Sequence, residues 1–474
     1  MNQTSRPQVA PGLAGLPADT LVRMIRGREI SIPELVAEAL AAIESLDGRL
    51  NAFIATCPER AMAEARAAQA RLMAEATPPP LLGLPLAVKD AEPVAGLPFT
   101  CGSLVYRDRV ADADSVHVAR LRAAGAIVVG KTNTPEFTLL GETRNRLGPD
   151  TRNPWNTALT AGGSSGGSAA ALAAGMVPLA TGSDTAGSIT LPAAFCGVTG
   201  LKPGHRRIPL WPGSGDWAPY SDVGPMARTA AGLAMMFAAA AGPDPRDPLS
   251  LFPAASRRED GPLRISWGRT IAGLPVDEDC AAAAEGMATL FATAGHHVDQ
   301  ATPGVADPGP LHDLLGAVEE YRARGALLER DAALLTAETR AILELGRSIG
   351  PGDLAAAKAA AGAVAARLRT FMAARDLLIL PAAGCPAFPL RHPPERIAGQ
   401  AVRPDWPSYA PVNMLGNLSG LPVATLPVRL TAAGLPVGAL VFANPGQEAL
   451  LLSALAEAET LRGPLALPPL TSAR

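Results

Sequence analysis
The chain has 474 residues, of which 48% are hydrophobic and 18% charged, and its formal net charge is -3. Such balance excludes the strongly basic footprint of a nucleic-acid-binding protein, and no uninterrupted apolar stretch reaches the roughly 18–20 residues of a membrane span. The five cysteines (Cys57, Cys101, Cys196, Cys280, Cys385) form no C-x-x-C and read as free thiols of a reducing cytoplasm, while the histidines show no metal-ligand spacing.

In chain order, Ser31-Ile-Pro-Glu34 reads as a capping box with proline in the first turn, opening a helix that runs to Leu46. An Ala-, Arg- and Glu-rich helix is expected over 58–76. Residues 84–88 form a short apolar run that reads as a buried strand, with Lys89-Asp90 at its end. A helix follows at 114–124 and a strand at 126–129. The run of small residues from Gly162 to Ser188 divides into helix (165–174), strand (177–180) and loop (182–188). From 243 to 375 the composition is helical. Residues 377–380 read as a buried strand, 423–429 and 436–442 as paired strands joined through Ala433-Gly434, and 447–461 as a closing helix. Strands interleaved with helices predict an α/β layered fold. One domain is expected over 1–474, with a core at 80–230, a helical region at 240–375 and completing C-terminal elements at 376–461.

The chemistry concentrates in the Gly162–Ser188 run, GGSSGGSAAALAAGMVPLATGSDTAGS. Residues this small let backbone approach a ligand closely. Five serines lie in it: Ser164, Ser165, Ser168, Ser183 and Ser188. A serine nucleophile needs a base, and no histidine has a distinctive setting. Lysine is a better candidate, because it occurs only at Lys89, Lys131, Lys202 and Lys358 in a chain that otherwise uses arginine. Arginine keeps its proton in a protein, whereas a desolvated lysine can release one. At the end of an apolar strand, burial would lower the pKa of Lys89 from about 10.4 toward neutrality, which opens a Ser–Lys arrangement. The turn Asp184-Thr-Ala-Gly-Ser188 offers successive N–H groups able to hold an oxyanion.

Two motif matches mislead. Gly125–Thr132 fits G-x-x-x-x-G-K-[ST], but a phosphate-binding loop needs a strand before it and a helix after it. Here a helix precedes and Thr134-Pro135 follows. Gly162–Gly166 fits G-x-S-x-G, but the preceding PWNTALTA is a poor strand for a nucleophile elbow.

The motifs LLGLPLAVKD, LRAAGAIVVGKTNTPEF, TRNPWN, GGSSGGSAAALAAG, GSDTAGSITLPAAFCGVTGLKP, GPMART and NLSGLPVATLPV together resemble the amidase signature family of amide hydrolases. The resemblance covers about 80–230 and 376–461. It implies a single α/β/α domain around a large mixed, mostly parallel sheet, and a Ser–cisSer–Lys triad. Ser188 takes the nucleophile's place, Ser164 that of the bridging serine on a cis peptide, and Lys89 that of the base. The N–H groups of Thr185, Ala186, Gly187 and Ser188 take the place of the oxyanion hole. No metal and no cofactor is implied; the expected partner is a small-molecule amide, with neither nucleic acid nor membrane, and a homodimer is left open. A different reading is the ammonia-supplying subunit of a glutamine-dependent tRNA amidotransferase.

The chain departs from the family near the site. The usual G-G-S-I-R reads Ala186-Gly-Ser-Ile-Thr190. Without the arginine, Asp184 needs another partner, either Arg228 or backbone donors. Lys131 and Lys202 are expected in structural pairs, and Cys196 in packing. Trp211, Trp217 and Tyr220 either line an acyl pocket or pack a surface loop on itself.

Overall fold
The computed structural model describes residues 12–212, 220–250 and 261–470. An eleven-stranded sheet runs through it. In chain order its strands are Phe53–Thr56 (β1), Pro85–Lys89 (β2), Ile127–Thr132 (β3), Leu179–Asp184 (β4), Thr199–Lys202 (β5), Asp222–Ala227 (β6), Arg264–Trp267 (β7), His297–Gln300 (β8), Leu377–Pro381 (β9), Val423–Leu430 (β10) and Pro436–Ala443 (β11). They lie in the order β1-β3-β2-β4-β6-β5-β10-β11-β9-β7-β8. Parallel pairing joins β3, β2 and β4 at one flank, and β9, β7 and β8 at the other. The strands between them pair antiparallel, as does β1 at its edge. The expected mixed sheet is present, with its parallel strands in two blocks around an antiparallel centre.

Both faces of the sheet are covered. Along β9, Leu377 and Ile379 join one core cluster while Leu378 and Leu380 join another. In β11, Ala439 and Val441 go to the first cluster and Leu440 and Phe442 to the second. This alternation is the period-two consequence of strand geometry, and it makes the molecule a three-layer α/β/α structure. Continuous apolar runs such as β2 and β9 are buried at every position because helices cover both sides.

Most expected elements form. Ser31 caps Ile32–Leu50 with both bonds of the capping box, and β10 pairs with β11. Two readings change. β4 runs on to Asp184, so Gly182-Ser183-Asp184 are strand rather than loop, held by pairing with Gly224, Val223 and Asp222 of β6. The helical region 240–375 also supplies β7 and β8, of four residues each, which extend the sheet beyond β9.

Candidate active site
Lys89 is the last residue of β2 and is fully buried. The neighbouring strand β4 brings two hydroxyls to it. Thr181 Oγ1 accepts the Lys89 backbone N–H at 3.1 Å. Lys89 Nζ donates to Ser183 Oγ at 2.9 Å, to the Ser183 carbonyl at 3.3 Å and to Ser164 Oγ at 2.7 Å. Burial brings the Lys89 pKa down to about 7, against the opposing charges of Asp184 and Glu92. Desolvation disfavours the charged form of an amine, so the neutral base is accessible near neutral pH.

Ser164 follows a cis peptide from Gly163, just ahead of the helix Gly166–Ala173. A Cβ on Gly163 would stand 2.6 Å from the Leu140 carbonyl oxygen, so only glycine fits. Two threonines fix this segment. Thr134 Oγ1 donates to the Ser164 carbonyl at 3.0 Å. Thr143 Oγ1 donates to the Gly162 carbonyl at 2.9 Å and accepts the Gly166 N–H at 3.0 Å.

Ser188 lies in the turn after β4. The Asp184 carboxylate shapes that turn, accepting N–H groups from Gly187 at 2.8 Å, Ile189 at 2.7 Å and Thr190 at 3.3 Å. Asp184 therefore pairs with backbone, while Arg228 donates instead to the Leu172 and Ala173 carbonyls. The Ser165 N–H donates to the Ser188 carbonyl at 3.1 Å, tying the turn to the segment that holds Ser164. Gly187 has φ 104° and a side chain there would collide with Asn413. Of the four N–H groups in the turn, that of Gly187 is committed to Asp184; among the described residues no acceptor meets those of Thr185, Ala186 and Ser188. Thr190 Oγ1 accepts from Asn413 Nδ2 at 2.9 Å, and Asn417 Nδ2 donates to the Asp184 carbonyl at 3.0 Å.

A cavity of about 340 Å³ reaches Thr185 and is bounded by Leu139, Glu142, Ile342, Trp406 and Tyr409 among others. Trp211 does not border it; that side chain is 38% exposed and its ring lies 4.6 Å from the Arg246 guanidinium carbon. Tyr220 packs half-buried beside the second core cluster and is not among the residues that border the cavity, and Trp217 lies outside the described residues. Among the described residues, the aromatic side chains that wall the cavity include Trp406 and Tyr409, which sit in the sequence DWPSY. That second concentration of aromatics, and the serine at 183, were the available signals.

The other lysines of the core are paired. Lys131 Nζ lies 3.2 Å from Asp90 and Lys202 Nζ 3.1 Å from Asp222, all four residues buried. Cys196 is buried against the Ala161 carbonyl, and burial pushes its thiol pKa up. Among the described residues no cluster of His, Cys, Asp or Glu could hold a metal, and no helix is long and apolar enough to cross a membrane.

The family described as Amidase matches residues 34–452. A putative amidase AmiB2 of Mycobacterium tuberculosis is 36% identical over 465 residues, covering 95% of this chain and 97% of its own. The acylamidase of Rhodococcus erythropolis is 34% identical over 476 residues, covering 94% and 95%. A glutamyl-tRNA(Gln) amidotransferase component from a Synechococcus species is 34% identical over 473 residues, covering 91% and 93%. The structure of 6-aminohexanoate cyclic dimer hydrolase with substrate superposes with a TM-score of 0.85 at 29% identity, covering 97% of this chain and 100% of that one.

Proposed function
Because the chain belongs to the amidase signature family, we propose that it cleaves the C–N bond of a small-molecule amide through an acyl-enzyme on Ser188, with Ser164 as proton relay and Lys89 as base. The observation that carries this reading is the 2.7 Å hydrogen bond between Lys89 Nζ and Ser164 Oγ in a fully buried setting. A lysine brought to about 7 is poised to accept and return a proton near neutral pH.

In the first step, neutral Lys89 takes the Ser164 hydroxyl proton while Ser164 takes that of Ser188. Ser188 Oγ bonds to the amide carbon, and the carbonyl oxygen becomes an oxyanion facing the N–H groups of Thr185, Ala186 and Ser188. The proton on Lys89 passes back through Ser164 to the leaving nitrogen as the C–N bond breaks. Water then attacks the Ser188 ester by the same relay, releasing the acid and restoring the serine.

The test is a panel of primary and N-substituted amides, monitored for ammonia or amine release by the wild type and by Ser188→Ala. Release by the wild type alone is the expected result. Equal release by both would overturn the reading. The likeness to the amidotransferase component supports a second reading, as a glutaminase supplying ammonia within a complex. Glutamine hydrolysis that exceeds all other amides and needs an added partner protein would favour it.

A further inference from the structure
Tyr409 is 3% exposed, borders the cavity, and its hydroxyl makes no hydrogen bond to any described residue. Its ring is accounted for: it packs edge-on against Phe388, with centroids 4.9 Å apart, inside an apolar cluster. Phenylalanine would fill that space equally well. The oxygen is the part with no hydrogen bond inside the chain, and it is open to the cavity, where a ligand can meet it.

The neighbourhood makes room for that oxygen. Gly141 also borders the cavity, and a Cβ there would collide with the Tyr409 hydroxyl. The backbone on either side of Gly141 lies against the serine segment, since a Cβ on Gly163 would meet Leu140 O at 2.6 Å and Glu142 N at 2.8 Å. The hydroxyl therefore stands close to the segment that carries Ser164.

The remaining walls limit what can fill the space. Leu139, Ile342 and Leu345 are apolar, and Trp406 adds an indole face together with an Nε1–H that has no partner among the described residues. The charged side chains are already paired: Arg144 with Glu338 at 2.8 Å, and Arg403 with Asp313 at 3.3 Å and with Asp405 at 2.9 Å. With Glu142 also beside Arg144, two guanidinium groups serve four carboxylates around the cavity, so the surplus charge there is negative and disfavours an anionic substrate.

We propose that the Tyr409 hydroxyl is a hydrogen-bond donor that orients the substrate, and that the substrate is a largely apolar amide without anionic groups, carrying an acceptor oxygen close to the scissile bond. This rests on the reading of the cavity as the substrate site of an amidase. It makes Tyr409 a specificity-determining residue, outside the proton-transfer chain.

The experiment uses pairs of aryl amides matched in shape, one carrying a methoxy group and the other an ethyl group at the same position. Each pair is measured for kcat/KM with the wild type and Tyr409→Phe, and for affinity by calorimetry in a Ser188→Ala background. The wild type should favour the methoxy member of the best pair by about tenfold or more, chiefly through KM. Tyr409→Phe should erase that preference in both readouts while melting at the wild-type temperature. A wild type with no preference, or a preference that survives in Tyr409→Phe, would overturn the proposal. Calorimetry keeps the two readings separate: acceptor-selective binding lost in Tyr409→Phe, without any amide hydrolysis, sustains the role of Tyr409 and sinks the amidase reading.

Discussion

Lys89 Nζ donates a 2.7 Å hydrogen bond to Ser164 Oγ, with both side chains buried. The two residues arrive from opposite directions, Lys89 at the end of a parallel strand and Ser164 just before a helix. Ser183 Oγ, on the adjacent strand, accepts a second Nζ–H at 2.9 Å. The amine is thus oriented by a neighbour that leaves its path to Ser164 intact.

This arrangement sets the pH dependence. With Lys89 at about 7, kcat/KM should rise through that pH and level off above it. The sign for stability is the same. The folded-state value lies below the roughly 10.4 of an unfolded lysine, so the unfolded chain binds more protons between the two. The contribution of Lys89 to stability is lowest below about pH 7 and improves as pH climbs toward 10. Thermal melts should therefore show Lys89→Met gaining most over the wild type at low pH.

Lys89→Arg should be as damaging as Lys89→Ala, each costing about 10²–10⁴-fold in kcat/KM. Arginine keeps the charge but cannot release a proton. Substantial activity in the arginine variant would remove Lys89 from the role of base.

Asp184→Asn tests the turn. The carboxylate accepts three N–H groups around Ser188 and its charge raises the Lys89 pKa. Neutralising it should lower kcat by at least about tenfold and move the acid limb of the pH profile to lower pH. A limb that moves upward would contradict the electrostatic part of the argument.

Lys131→Met should destabilise the fold by about 3–5 kcal/mol, because it strands a buried Asp90. Urea unfolding of the double variant Lys131→Met with Asp90→Leu should show a smaller loss than the single one. Equal losses would mean that the ion pair is not what couples these residues.

What could be read from the sequence followed from chain-local signals. The apolar run at 84–88 ends in Lys89, the capping box at Ser31 opens its helix, and the two C-terminal strands pair as their spacing implies. β7 and β8 escaped notice because each is four residues long within helical composition. Residues 182–184 escaped because Gly-Ser-Asp has no strand propensity and is held only by its neighbours. The site's second layer depends on contacts far apart in the chain. Asn413 and Thr190, 223 residues apart, meet at the turn. Tyr409 packs directly against Gly141 at the wall of the cavity, whereas the sequence had pointed to Trp211, Trp217 and Tyr220.

The most direct measurement is peptide mapping by mass spectrometry of protein quenched during turnover of an activated aryl amide. The acyl mass should appear on the peptide that contains Ser188 and be absent from Ser188→Ala. An acyl group carried by Ser164 or Ser165, or turnover undiminished in Ser188→Ala, would contradict the assignment of Ser188 as nucleophile.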